Sequence, residues 1–131
     1  MRAVTITLPL PDREVSQNAR TGNSRIAAVL KSKKVKQHRN AANMMMKVAI
    51  GRGMLEGAGK PMGYSLKHYF KSEAWMRDED NADGACKAYR DGICDALRID
   101  DKYFTKMALS QRLIDKEHPR VEISIYFETK Q

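Results

Sequence analysis

Apolar and polar residues alternate along two stretches near the ends of the chain and one in the middle, and recur at helical spacing between them. Residues 3–10 set Val4, Ile6 and Leu8 against Thr5 and Thr7, the period of a half-buried strand. Pro9 and Pro11 end it, since proline cannot donate to a ladder. Residues 12–24 mix Asp, Ser, Asn, Gly and Arg and read as a loop. Ser32 to Gly51 reads as a helix, with Val35, Ala42, Met45, Met46, Ala49 and Ile50 as its apolar stripe and the Met44–Met46 run as core filler. A start near Lys36, with the preceding lysines in a solvated loop, fits equally. Gly51, Gly53, Gly57 and Gly59 mark the helix end. Met62 to Phe70 alternates again (Met62, Tyr64, Leu66, His68, Phe70) as a second strand. A second helix runs from about Asp80 to Leu97, with Ala82, Ala85, Cys86, Tyr89, Ile93, Ala96 and Leu97 on its core face. Lys102 to Leu113 reads loosely as a strand, 114–120 as a turn and Val121 to Phe127 as the clearest strand. The predicted order is β-α-β-α-β-β. It describes an α/β fold of the α+β type, a mixed sheet of about four strands packed with two main helices, the last two strands hairpin-linked, in one domain spanning 1–131.

Charge changes this picture. The net charge is +8. Residues 1–77 carry 15 Lys/Arg against 4 Asp/Glu, whereas residues 78–131 carry 9 against 12. A basic half beside an acidic half suits a polyanion partner, the first holding phosphates while the second does chemistry. No apolar run approaches the roughly 18 residues of a membrane span, and the N-terminus reads as a strand without a secretion signal, so a cytoplasmic setting is expected. Cys86 and Cys94 fall eight apart on one predicted helix, roughly 12 Å along its axis, too far for a disulfide. They read as reduced core residues, and no Cys/His spacing suggests zinc.

Eight carboxylates crowd into Arg77–Asp101: Asp78, Glu79, Asp80, Asp83, Asp91, Asp95, Asp100 and Asp101. Clustered carboxylates repel unless a cation joins them. On one continuous helix Lys87 and Asp91 lie about 20° to either side of Asp80, so the three share a stripe, and Gly84 leaves room beside it. Asp78 and Asp80 alternate on an extended entry, able to face one ion, while Glu79 and Asp83 drop back to capping or solvent roles. A hard cation such as Mg²⁺ takes carboxylate oxygens, water and phosphate, and a lysine beside it stabilises charge on a phosphorane. These are the parts of a phosphodiester hydrolase. An EF-hand is excluded, because counting from Asp78 its glycine and glutamate positions hold Asp83 and Tyr89. Acidic residues at a helix N-terminus also favour the helix dipole, which accounts for Asp78–Asp83 but not for Asp100–Asp101. His68 within an apolar alternation reads as a packed neutral ring. Trp75 either anchors its loop or stacks on a base.

Leu8-Pro9-Leu10-Pro11, Arg77-Asp78-Glu79-Asp80-Asn81, Lys87, Asp95-Ala96-Leu97, Asp100-Asp101 and Pro119-Arg120-Val121-Glu122 together resemble the RusA-type Holliday-junction resolvases of phages and prophages. The resemblance implies a homodimeric, Mg²⁺-dependent endonuclease, with Mn²⁺ as a substitute, that cuts four-way DNA junctions by paired symmetric nicks in recombination and repair, in a bacterial or phage-infected cytoplasm. It implies Asp78, Asp80 and Asp101 as metal ligands and Lys87 as the catalytic lysine, here seven residues after Asp80 rather than four, with Asp100 the alternative to Asp101. Arg20, Arg25, Lys33, Lys34, Lys36, Arg39 and Arg77 are expected to hold DNA phosphates, which positions the substrate without reading its sequence. A metal nuclease acting on other branched DNA or on RNA, and a non-catalytic DNA-binding phage protein, fit the same residues.

Overall fold

A computed structural model describes residues 1–12, 15 and 25–129. Its elements follow in the order β1 (Arg2–Leu8), α1 (Arg25–Gly51), β2 (Ala58–Phe70), α2 (Glu79–Ala85), α3 (Lys87–Leu97), β3 (Thr105–Lys106), β4 (Gln111–Ile114) and β5 (Arg120–Thr129). The protein is a mixed α+β fold, three helices over a five-stranded sheet among the described residues.

The sheet runs β1-β5-β2, antiparallel throughout, with β3 and β4 both pairing in parallel along the far edge of β2. Its register sorts the alternating residues into rows. Val4, Ile125 and Tyr64 lie side by side, then Ile6, Ile123 and Leu66, then Leu8, Val121 and His68. All nine are buried. A one-residue slip would turn every row to the polar face, where Thr5 meets Ser124 at 2.9 Å and Ser65 meets Tyr126 at 2.8 Å.

The expected terminal hairpin does not form. β5 enters the sheet between β1 and β2, and β4 pairs with β2 instead. The strands differ in what they can bury. β5 carries Val121, Ile123, Ile125 and Phe127 on its inner face, whereas all four residues of β4 are exposed and suit an edge.

The helices pack on the inner face. Ala42, Met46 and Ala49 of α1 meet Tyr89, Ile93 and Cys94 of α3 in one core with the sheet. Here the structure departs from the predicted stripe. Met45 and Ile50 are exposed and Met44 more so, leaving Met46 as the core residue of the methionine run. α1 and α3 approach tightly at Gly92, where a Cβ would strike the Arg39 carbonyl and come within 3.1 Å of the Ala42 Cβ. α1 also begins earlier than expected. Arg25 is its first described residue, so Lys33, Lys34 and Lys36 sit well inside the helix and not in a loop before it.

The predicted second helix is two helices. Cys86, at φ −87° and ψ 3°, ends α2 and begins α3, and its N–H donates to the Asp83 carbonyl at 3.0 Å. Both cysteines are free and buried. No helix among the described residues is long and apolar enough to cross a membrane.

Candidate active site

The break at Cys86 takes the expected Asp80–Lys87–Asp91 stripe apart. Lys87 and Asp91 stay together one turn apart on α3, with Nζ 3.2 Å from Oδ2. Asp80 belongs to the first turn of α2. Asp78 does not share an extended segment with it. Asp78 caps α2, accepting the Asn81 N–H at 2.8 Å and the Asn81 side-chain amide at 3.1 Å.

On the α1 side lies a groove of about 280 Å³ lined by Arg39, Lys87, Asp91, Cys94, Asp95, Ile99 and Asp101. Three local features build it. Gly92 lets α1 approach α3 until Arg39 grips Asp95 through Nε at 2.6 Å and Nη2 at 2.8 Å. Asp91 and Asp95 lie one turn apart on α3, so both face this groove. Arg98 then ends α3 in the left-handed conformation, φ 57° and ψ 45°, and its N–H and that of Ile99 close back on the helix's last carbonyls. That turn brings Ile99 and Asp101 back alongside α3. Asp100 is spent on capping the Asp101–Tyr103 3-10 turn through the Lys102 N–H at 3.1 Å, so Asp101 is the member of the pair that lines the groove.

The hydrogen bonds from Arg39 hold the Asp95 carboxyl below its ordinary range, and the same bonds raise the guanidinium. Two of the five N–H donors of Arg39 are used on Asp95, leaving the others for a second anion. Burial, with help from the charges of Asp91, Asp101 and Asp95, pushes the Cys94 thiol up to about 11, so the groove offers no thiolate nucleophile at neutral pH.

Glu79 and Asp83, expected to cap or face solvent, do neither. They face the opposite side of α2, towards the sheet edge. Asp83 accepts from Lys106 Nζ at 2.6 Å, Ser110 Oγ at 2.7 Å and His68 Nε2 at 2.9 Å. Glu79 accepts from the same Lys106 at 2.6 Å and from the Ser110 N–H at 3.2 Å. Burial would raise the Asp83 carboxyl, but the donors from Lys106, Ser110 and His68 outweigh it and hold it low. His68 is 1% exposed, and burial keeps its ring towards the neutral form despite Asp83. This cluster clamps α2 to β2 and to the β3–β4 segment, and so sets how the first turn of α2 is presented. Four-residue spacing puts Glu79 and Asp83 on one helix face. A lysine and serine some 25 residues later carry no pattern that would pair them with it.

The predicted DNA contacts are scattered. Arg25, Lys33 and Lys36 are exposed along α1, and Lys34 lies 3.8 Å from Asp12. Arg77 precedes the Asp78 cap, its carbonyl taken by Arg112 at 3.2 Å. Arg20 lies outside the described residues. The Leu-Pro-Leu-Pro segment after β1 is held by the Tyr89 hydroxyl, which donates to the Pro9 carbonyl at 2.7 Å, and by His38, which stacks on Tyr89 and accepts the Asp12 N–H at 3.1 Å.

No family model matches the chain. An uncharacterized protein of Xylella fastidiosa (strain Temecula1) is 35% identical over 113 residues, which cover 86% of this chain and 67% of that protein. The chain belongs to that protein's family. The relative brings no activity with it, and the chemistry rests on the side chains themselves. Asp78, Asp80 and Asp101 offer the hard oxygen donors that a divalent cation takes. Among the described residues no three His, Cys, Asp or Glu side chains are gathered to hold a metal ion.

Proposed function

We propose that the protein is a Mg²⁺-dependent, structure-selective endodeoxyribonuclease of the RusA type that resolves four-way DNA junctions by paired phosphodiester hydrolysis as a homodimer. One observation carries the reading. Of the nine aspartate side chains, seven have a hydrogen-bonding or ionic partner, whereas those of Asp80 and Asp101 have none among the described residues, in a chain of net charge +8. Carboxylates left unpaired in so basic a protein are available to a cation.

Asp80 and Asp101 are the carboxylates that would hold the metal, with water and substrate phosphate completing its shell, while Asp78 stays engaged as the α2 cap. When bound, the metal would supply a water of lowered pKa and neutralise charge at the scissile phosphate. Lys87, half exposed at the groove, puts a positive charge where negative charge develops on the phosphorane, and Asp91 fixes its direction. Arg39, steadied by Asp95, binds a flanking phosphate oxygen through its remaining donors. The exposed lysines of α1 extend the phosphate track away from the groove. Two-fold pairing of subunits presents one such site to each of two like strands.

The decisive experiment offers a labelled immobile four-way junction and a plain duplex together with Mg²⁺. Paired nicks at symmetric positions of the junction support the reading. Equal cutting of both substrates, or cutting that Asp80→Asn leaves intact, overturns it.

A further inference from the structure

The chain has nine aromatic side chains, and seven of them are buried or half-buried. The two exposed ones bracket the acidic stretch. Trp75 ends the 3-10 turn Glu73–Trp75, three residues before Asp78, and is 66% exposed. Tyr103 ends the turn Asp101–Tyr103 and is 61% exposed. The segments that follow them are tied together. Lys106 and the Ser110 N–H both bond to Glu79, and Arg112 bonds to the Arg77 carbonyl. Leu109, on the same segment, is 82% exposed, the most exposed large hydrophobic residue described.

Cations accompany these rings. Lys102 Nζ lies 5.0 Å from the Tyr103 ring centre, Arg77 follows Trp75 by two residues, and Arg112 is anchored beside Arg77. Aromatic faces interleaved with cations are what single-stranded or unstacked nucleic acid requires, because the ring stacks on a base while the cation meets its phosphate. Branched aliphatic side chains on a surface segment serve elsewhere as wedges between base steps. A continuous duplex offers such a patch little, since its base faces are already stacked on one another. A branch point exposes them.

We propose that Trp75, Tyr103 and Leu109 form a site for unstacked bases at a DNA branch, beside the acidic stretch. The site supplies the preference for branched over continuous DNA, while the lysines and arginines supply affinity common to both. The proposal rests on the nuclease reading for its substrate but not for its assay, which measures binding alone.

Trp75 is the only tryptophan, so its emission reports the contact directly. In EDTA, adding a four-way junction quenches this emission, whereas an equal concentration of duplex does not. By fluorescence anisotropy of labelled DNA, Trp75→Ala and Tyr103→Ala each weaken junction binding by about 10-fold and leave duplex binding within about 2-fold. Trp75→Phe and Tyr103→Phe retain the preference, and the slope of affinity against salt is unchanged because no phosphate contact is lost. A triple alanine variant, including Leu109→Ala, that keeps the wild-type ratio of junction to duplex affinity overturns the proposal. So does wild-type protein that binds both DNAs equally, or a triple variant whose only change is weaker self-association in sedimentation velocity. If the wild type prefers the junction through these residues yet never cleaves it with Mg²⁺, the nuclease reading falls and the base site stands.

Discussion

The two sides of α2 and α3 carry the same kinds of residue to opposite ends. On the sheet side, Glu79 and Asp83 meet Lys106, Ser110 and His68 in a half-buried cluster in which each polar group is matched. On the α1 side, Arg39, Lys87, Asp91, Asp95 and Asp101 line an open groove in single ion pairs, and Asp101 is left over. A carboxylate surrounded by donors has its charge consumed by the fold. One with a free oxygen facing a groove keeps it for a ligand. Density of acidic residues in the sequence therefore marked the region without sorting its members.

The comparison breaks first at Asp83. Asp83→Ala leaves the buried His68 N–H and the Ser110 hydroxyl without their partner and Lys106 with Glu79 alone, and should lower unfolding free energy by about 3 kcal/mol, read from denaturant melts of the full chain. A variant as stable as wild type would remove the clamp. Asp101→Asn lies in the groove and Asp80→Asn on the first turn of α2, at the two carboxylates without a partner among the described residues. Each should reduce Mg²⁺-dependent junction cleavage by at least about 100-fold, with thermal stability unchanged and junction binding equal or tighter, because a repulsive charge near phosphate is gone. Loss of stability without loss of cleavage would reverse the roles of the two sides.

Gly92→Ala tests the link between groove and core. The added Cβ meets the Arg39 backbone, so α1 and α3 must part, at a cost of about 1–3 kcal/mol, and the Arg39–Asp95 pair should loosen with them. A crystal structure of the variant with that pair intact would show the crossing to be more forgiving than its geometry implies. Lys33→Ala/Lys34→Ala should reduce the slope of log affinity against log salt by about 2. An unchanged slope would remove that part of α1 from the DNA track.

The smallest effect is on pH. His68 has its pKa lowered by burial from 6.5. The unfolded chain therefore takes up a proton first, and this residue withdraws stability as pH falls below about 6.5. Asp83 and Asp95 are held below 3.8, so their contributions are present above that value and are lost only as pH falls through their folded values. Between pH 7 and 5, His68→Gln should flatten the dependence of the denaturation midpoint, while Asp95→Asn should not. Identical slopes in wild type and His68→Gln would place the proton elsewhere.

Much of the fold was legible from pattern. The alternation of β1, β2 and β5 is set by a two-residue period that needs no partner to be read, and the structure pairs those strands row by row. The fold class, the long helix ending at Gly51, the buried His68 and the two free cysteines followed from the same local rules. Four features did not. The helix break at Cys86, the position of β5 between β1 and β2, the reach of Lys106 and Ser110 to Asp83 and the grip of Arg39 on Asp95 all join residues whose spacing carries no period. By itself the sequence determined which residues are acidic, which stretches are apolar on one face and where the chain is basic, because these are properties of neighbours. Only the tertiary structure decided which carboxylates are consumed by the fold and which remain open. That choice depends on which donor, from which distant element, reaches each oxygen first.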